Sequence, residues 1–237
     1  MYSRQLLRWL PILFVTEHCK GGVLFCYLHE NKAFAFHKFE ESSRIRNKGG
    51  ALMIREAKEA DAQSIAELSY MIWKDMELEI VRKYPKEEVI QVIQHSVTDI
   101  PYRNYYRHVH VYEVDCQVAG MIVTYEGNKE LQYEQSWRTL TCAKALPLST
   151  ETPLPVKEAD DGDIYIESIA TFPAFRGRGI AKALMQHVMS HYKNQKLSLN
   201  CDQTNTVARK IYEQMGFQPT NKKTLYGHTY HYMTYQS

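Results

Sequence analysis

The stretch from Ile164 to Tyr192 constrains the fold more than any other part of the chain. Ile164-Tyr165-Ile166-Glu167-Ser168-Ile169-Ala170 reads as a strand, and residues 179–192 read as a helix with Ile180, Leu184 and Val188 at i, i+4 and i+8. Between them lies Thr171-Phe172-Pro173-Ala174-Phe175-Arg176-Gly177-Arg178-Gly179. Gly177 and Gly179 remove side chains where the chain turns, which leaves backbone N–H groups pointing outward. A helix N-terminus carries partial positive charge, and Arg176 and Arg178 add full charges. A turn of this kind suits an anionic phosphate, and a diphosphate fits it well. The plainer alternative is a tight strand–helix turn with surface arginines. Other nucleotide motifs do not fit: Lys182 does not complete a Walker sequence, and no Gly-x-Gly-x-x-Gly occurs.

A second segment, Asn205-Thr206-Val207-Ala208-Arg209-Lys210-Ile211-Tyr212-Glu213-Gln214-Met215-Gly216-Phe217, reads as a helix over 204–215 stopped by Gly216. Asn205 has the side chain to cap it, and Tyr212 lies seven residues on, two turns later, on the same face. Taken alone, Tyr212 and Phe217 are core aromatics. Taken together, the two segments resemble the GNAT superfamily of N-acetyltransferases. Arg176, Gly179 and Ala181 match its Arg/Gln-x-x-Gly-x-Gly/Ala signature, and 205–217 matches its Asn…Ala…Tyr-Glu…Gly-Phe segment. The likeness covers residues 53–237.

The resemblance implies an α/β fold, a mixed and mainly antiparallel central sheet flanked by helices, and acetyl-CoA as cosubstrate. It places the coenzyme A pyrophosphate on the backbone of Arg176, Gly177, Arg178, Gly179, Ile180 and Ala181. The backbone of Ile169 and Thr171 would pair with the pantetheine arm, and Asn205 and Tyr212 would contact the cofactor. The implied reaction is direct acyl transfer in a ternary complex. A neutral amine attacks the thioester, so a base must first take its proton. Glu167, on the strand that leads into the turn, is the candidate base, acting directly or through water; its bland reading is a structural hydrogen bond. Tyr212 is the candidate acid for the leaving thiolate, and the N–H of Ile169 a candidate oxyanion donor. Cys201 reads as a small core residue.

The remaining elements are consistent with that fold. Residues 53–57 read as a strand, with Asp61 capping a helix over 61–76. Pro85 precedes a second helix carrying Val89, Val92, Ile93 and Val97 on one face. Residues 109–125 read as a hairpin turning at Asp115-Cys116-Gln117. Residues 126–162 read as a long surface loop with a short helix near 131–140, ending in an acidic run from Glu158 to Asp163. Residues 197–200 and 224–235 read as strands, the last with Tyr226, His228, Tyr230 and Tyr232 on one face. That wall and the acidic run could serve a cationic acceptor, or be ordinary packing and a solvated loop.

Composition bounds the rest. A formal net charge of +2 argues against a nucleic-acid binder, and no apolar run is long enough to span a bilayer. The run Leu10 to Val15 is short, broken by Pro11 and followed by no small-x-small cleavage site, so it does not read as a secretory signal. Five scattered cysteines without CxxC spacing imply reduced thiols and a cytoplasmic protein. Cysteine and histidine spacings suggest no metal site. Residues 1–52 carry eight basic and four acidic residues, whereas the remainder carries 21 and 23. The run Lys48-Gly49-Gly50 can be encoded by a ribosome-binding sequence, with Met53 at start-codon distance. Residues 1–52 are therefore expected to be non-native, or a poorly ordered extension, and 53–237 the acetyltransferase domain. The favoured acceptor is a small-molecule amine. The alternatives are a protein N-terminus or lysine, which needs an open groove, and a non-catalytic coenzyme A sensor. A homodimer is compatible with each.

Overall fold

The computed structural model describes residues 52–236. The expectation for residues 1–52 lies outside them but for Leu52, which opens the first strand and pairs with Val114.

Seven strands form one sheet: β1 (Leu52–Glu56), β2 (Val109–Val114), β3 (Gln117–Glu126), β4 (Ile164–Thr171), β5 (Leu197–Asp202), β6 (Gln218–Leu225) and β7 (His228–Tyr235), in the order β1-β2-β3-β4-β5-β7-β6. Every pairing is antiparallel except β4 with β5. Helices cover both faces: α1 (Ala62–Asp75), α2 (Glu79–Lys83), α3 (Lys86–Thr98), α4 (Glu130–Ser136), α5 (Ile180–His191) and α6 (Thr206–Gln214).

The alternation of side chains along each strand divides the core in two. Val111, Met121, Val123, Tyr125 and Tyr165 join α1 and α3 on one face. Ile122, Ile164, Ile166 and Ile169 join α5 and α6 on the other. The apolar stripes read from the sequence account for this: Ile65, Leu68, Val89, Ile93 and Val97 on one side, Leu184 and Val188 on the other, are fully buried. A leucine-sized side chain buried this way is worth roughly 1.5–3 kcal/mol, so the two stripes dominate the docking of the helices.

Three local expectations are corrected. The carboxylate of Asp61 makes no cap bond within α1. It accepts from Arg55 at 2.7 and 3.0 Å and from the backbone N–H of Lys58 at 2.8 Å, so the preceding turn and β1 claim it. The tail from Thr224 to Tyr235 is not one strand. Tyr226 (φ 50°) and Gly227 (φ 83°) are both left-handed and make the two-residue turn of a β6–β7 hairpin, a conformation that glycine favours and tyrosine masks in sequence. The acidic run is only partly a solvated loop: Glu158 and Asp163 are buried, while Asp160 and Asp161 stay exposed.

Candidate active site

The sheet parts in its middle. β4 pairs with β5 only at Ile164 with Leu197 and Tyr165 with Ser198, yet β4 continues beside β3 as far as Thr171. Beyond Tyr165 the side of β4 turned toward β5 has no ladder partner. Its backbone groups there are open to an extended ligand, in the manner of strand addition.

At the end of β4 the chain makes a one-turn helix, Pro173–Phe175, and then the glycine turn. Gly177 and Gly179 have φ of 74° and 76°, and a Cβ on either would meet nothing within 4 Å. The positive φ demands glycine, and the empty space above it lies at the head of α5. Gly120 on β3 lets that head sit close. A Cβ there would meet the Ala170 carbonyl at 2.7 Å and Ile180 Cγ2 at 3.1 Å. Arg176 donates from Nε to the Thr171 carbonyl at 3.1 Å, while its Nη1 is buried without a hydrogen-bond partner among the described residues. Burial pulls this guanidinium down to about 10, against the pull of Asp75, whose own carboxyl burial raises to about 7. A half-buried arginine in that state gains from an anion. Arg178 lies exposed over the Phe175 ring. The open strand edge, the glycine cradle and the unpaired arginine nitrogen together fit the pantetheine and pyrophosphate of coenzyme A.

A bulge in β4 sets the face of Glu167. Val123 pairs with Ser168 and Thr124 with Ile166, so Glu167 is the extra residue. Glu167 and Ser168 both line a narrow pocket with Ser69, Ile72 and Trp73 of α1 and with Tyr102, Arg103, Leu154 and Glu158. Its free space is about 20 Å³, which is enough for a water molecule.

Behind the pocket is a buried ionic cage. Arg103, in the loop between α3 and β2, is fully buried. It donates to Glu134 (2.7 Å), Glu130 (2.9 Å) and the Leu154 carbonyl (2.6 Å), and lies 3.5 Å from Glu158 and 4.0 Å from Glu167. Glu130 also accepts from the N–H groups of Glu158 and Ala159, and Glu134 from that of Leu154. Glu158 accepts from the hydroxyls of Tyr165 and Tyr226, each at 2.7 Å. Glu167 alone of the four carboxylates accepts no hydrogen bond from a described residue. Burial raises Glu167 to about 8 and Glu158 to about 7, only partly opposed by Arg103. The cage is thus short of positive charge.

Asn205 caps α6, accepting from the N–H of Ala208 at 3.0 Å. Tyr212 is fully buried in the α5–α6 cluster, edge-on to Phe217 at 6.2 Å, so it lies in the other cluster from the pocket that Glu167 lines. Cys201 is buried in the same cluster. Of the tyrosine wall, Tyr226 reaches Glu158, the Tyr232 hydroxyl donates to Asp163, and Tyr230 is fully buried. Arg103, Glu130 and Glu134 carried no sequence signal. Each stands in an irregular or polar segment where a charge reads as solvated, and only the structure shows Tyr102, Arg103 and Asn104 to be buried.

The chain matches the model of the acetyltransferase (GNAT) family over residues 72–217. It is 46% identical to an N-acetyltransferase of known structure from Staphylococcus aureus Mu50, covering 77% of this chain and all of that one, with a TM-score of 0.70. A second solved acetyltransferase is 31% identical over 78% of this chain and 98% of its own, with a TM-score of 0.68. A search of curated proteins returns no match. No helix among the described residues is long and apolar enough to cross a membrane.

Proposed function

This chain belongs to the GNAT acetyltransferase family and uses acetyl-CoA as donor, and we propose that its acceptor is the primary amine of a small cationic molecule. The observation that carries this reading is Glu167, a buried carboxylate that accepts no hydrogen bond from a described residue and lines a narrow pocket together with Glu158 and Arg103, with Glu130 and Glu134 held by Arg103 behind it. A polypeptide needs an open groove, and the narrowness of this pocket, lined by α1 and by Leu154 and Glu158, supports a small acceptor instead.

Acetyl-CoA supplies the activated thioester carbonyl. The glycine turn, from Arg176 through Gly177, Arg178, Gly179, Ile180 and Ala181, would hold its pyrophosphate. The backbone of Ile169 and Thr171 would pair with the pantetheine arm, and Asn205 would contact the donor from the head of α6. An ammonium entering the pocket brings the charge that the cage lacks. Opposite charge beside Glu167 pulls its carboxyl down from about 8, so that the group ionises as the acceptor arrives. Oε1 or Oε2 of Glu167 then takes the amine proton, directly or through the water that the pocket has room for. On this reading the Tyr212 hydroxyl donates its proton to the departing sulfur.

The test follows thiol release from acetyl-CoA across a library of small amines and of peptides bearing free N-termini or lysines. Small cationic amines should give the highest kcat/KM. Peptides exceeding every small amine would replace this acceptor class. Acetyl-CoA binding without thiol release on any amine would make the domain a sensor.

A further inference from the structure

Three histidines converge on the sheet face that α5 covers, away from the acyl-transfer site. His110 leaves β2 toward α5, and His187 and His191 stand one turn apart on that helix. The His110 ring centroid lies 4.8 Å from that of His187 and 5.1 Å from that of His191, and the two helical rings are 6.0 Å apart. One ring nitrogen from each lies within 4.8 Å of the other two. Burial is graded: His110 is buried, His187 half-buried and His191 exposed. Nδ1 of His110 and Nε2 of His187 are buried without a hydrogen-bond partner among the described residues. Buried polar atoms of a native fold are ordinarily satisfied, and two buried imidazole nitrogens without a partner among the described residues, in a cluster of three rings, call for a ligand.

We propose that His110, His187 and His191 form a binding site for one divalent transition-metal ion of the zinc class. Neutral imidazole is the preferred nitrogen ligand of such ions, and three protein ligands with an open fourth position is a common zinc arrangement. The i, i+4 pair on α5 presents two ligands from one helix face, and β2 supplies the third from the sheet. An ion held at about 2.0–2.1 Å needs nitrogens roughly 3.4 Å apart. The exposed His191 has the freedom to close that distance. The open position would then face solvent beside His191 and take water. His187 and His191 lie seven and eleven residues from the start of α5, about 10–17 Å along its axis from the glycine turn. The ion would therefore clip α5 to β2 without touching the donor.

Stripping the full chain with a chelator and titrating Zn²⁺ alone by calorimetry, with Co²⁺ absorption as the coordination readout, tests the site. One equivalent should bind and raise the melting temperature. His187→Gln and His191→Gln should each weaken binding by about 100-fold or more while acetyl-CoA affinity is unchanged. His191 is exposed, so its variant keeps the test valid if loss of His187 disturbs the core. No saturable binding of either ion, or full binding in both variants, would overturn the proposal.

Discussion

The glycine turn at the head of α5 and the ionic cage around Arg103 meet at β4, and they are built in opposite ways. The turn is local: nine consecutive residues, 171–179, only one of them buried, whose shape depends on two positive φ angles and an empty space above them. The cage is distributed: Arg103, Glu130, Glu134, Glu158 and Glu167 come from four separate segments and are almost wholly buried. Such a turn fails when a side chain is added, and such a cage fails when a charge is removed. A site made of both halves can change its acceptor without disturbing its donor.

The sharpest way to test that contrast is to remove the cation at the centre of the cage. Arg103→Met leaves several buried carboxylates uncompensated, and breaking a buried ion pair from one side typically costs about 3–5 kcal/mol. Urea denaturation should show that loss, and a change below about 1 kcal/mol would mean that the carboxylates neutralise freely. Glu167→Gln should act on rate instead. If Glu167 is the base, single-turnover transfer should fall by about 10²–10⁴-fold with the fold intact. The pH dependence has a definite sign. Glu167 is raised above its ordinary value, so its contribution to stability is complete below about pH 4.5 and is lost as pH climbs through about 8. Glu167→Gln should therefore match the parent at pH 5 and exceed it in melting temperature at pH 9. A parent more stable than the variant at pH 9 would contradict the burial argument.

Tyr212→Phe keeps the edge-on contact with Phe217 and removes only the hydroxyl. If Tyr212 protonates the thiolate, turnover should drop by about 10²-fold, the low end for general acid catalysis, and a donor with a more acidic thiol should restore part of it. Full activity with chemistry rate-limiting would take Tyr212 out of the reaction. At the turn, Gly179→Val forces a β-branched residue to φ 76° and fills the open space. Coenzyme A affinity should fall by about 10–100-fold, roughly 1.4–2.7 kcal/mol, with little loss of fold. Unchanged affinity by calorimetry would move the phosphate elsewhere. The smallest effect belongs to Asn205→Ala, about 1 kcal/mol of helix stability from the lost cap.

The same contrast explains what was legible in the sequence. Both glycines, Arg176 and the helix stripe Ile180, Leu184, Val188 are consecutive in the chain, so spacing alone revealed the turn. The long helices followed from periodicity because each buries one face, the inner strands β4 and β5 were legible as short apolar runs buried on both faces, and the short α2 was missed. The hairpin at Tyr226-Gly227 was hidden, since the alternation of β6 and β7 runs on through the turn. The cage was hidden for a deeper reason. A buried charge looks like a surface charge until its partners are known, and those of Arg103 lie 27 to 64 residues away. Glu158 looked solvated because its neighbours Asp160 and Asp161 are. The histidine cluster was not read from the sequence, where histidine spacings suggested no metal site, because His110 comes from 77 residues upstream of His187.

The parting of β4 from β5 also bears on where other chains can add to the sheet. A free strand edge at the rim of a sheet invites other chains to add to it, which is a common start of aggregation. Here the free edge lies inside the molecule, between a strand bonded to β3 and a strand bonded to β7. The unpaired backbone of this seam is thereby set within the sheet, between β3 and β7, and not at its rim.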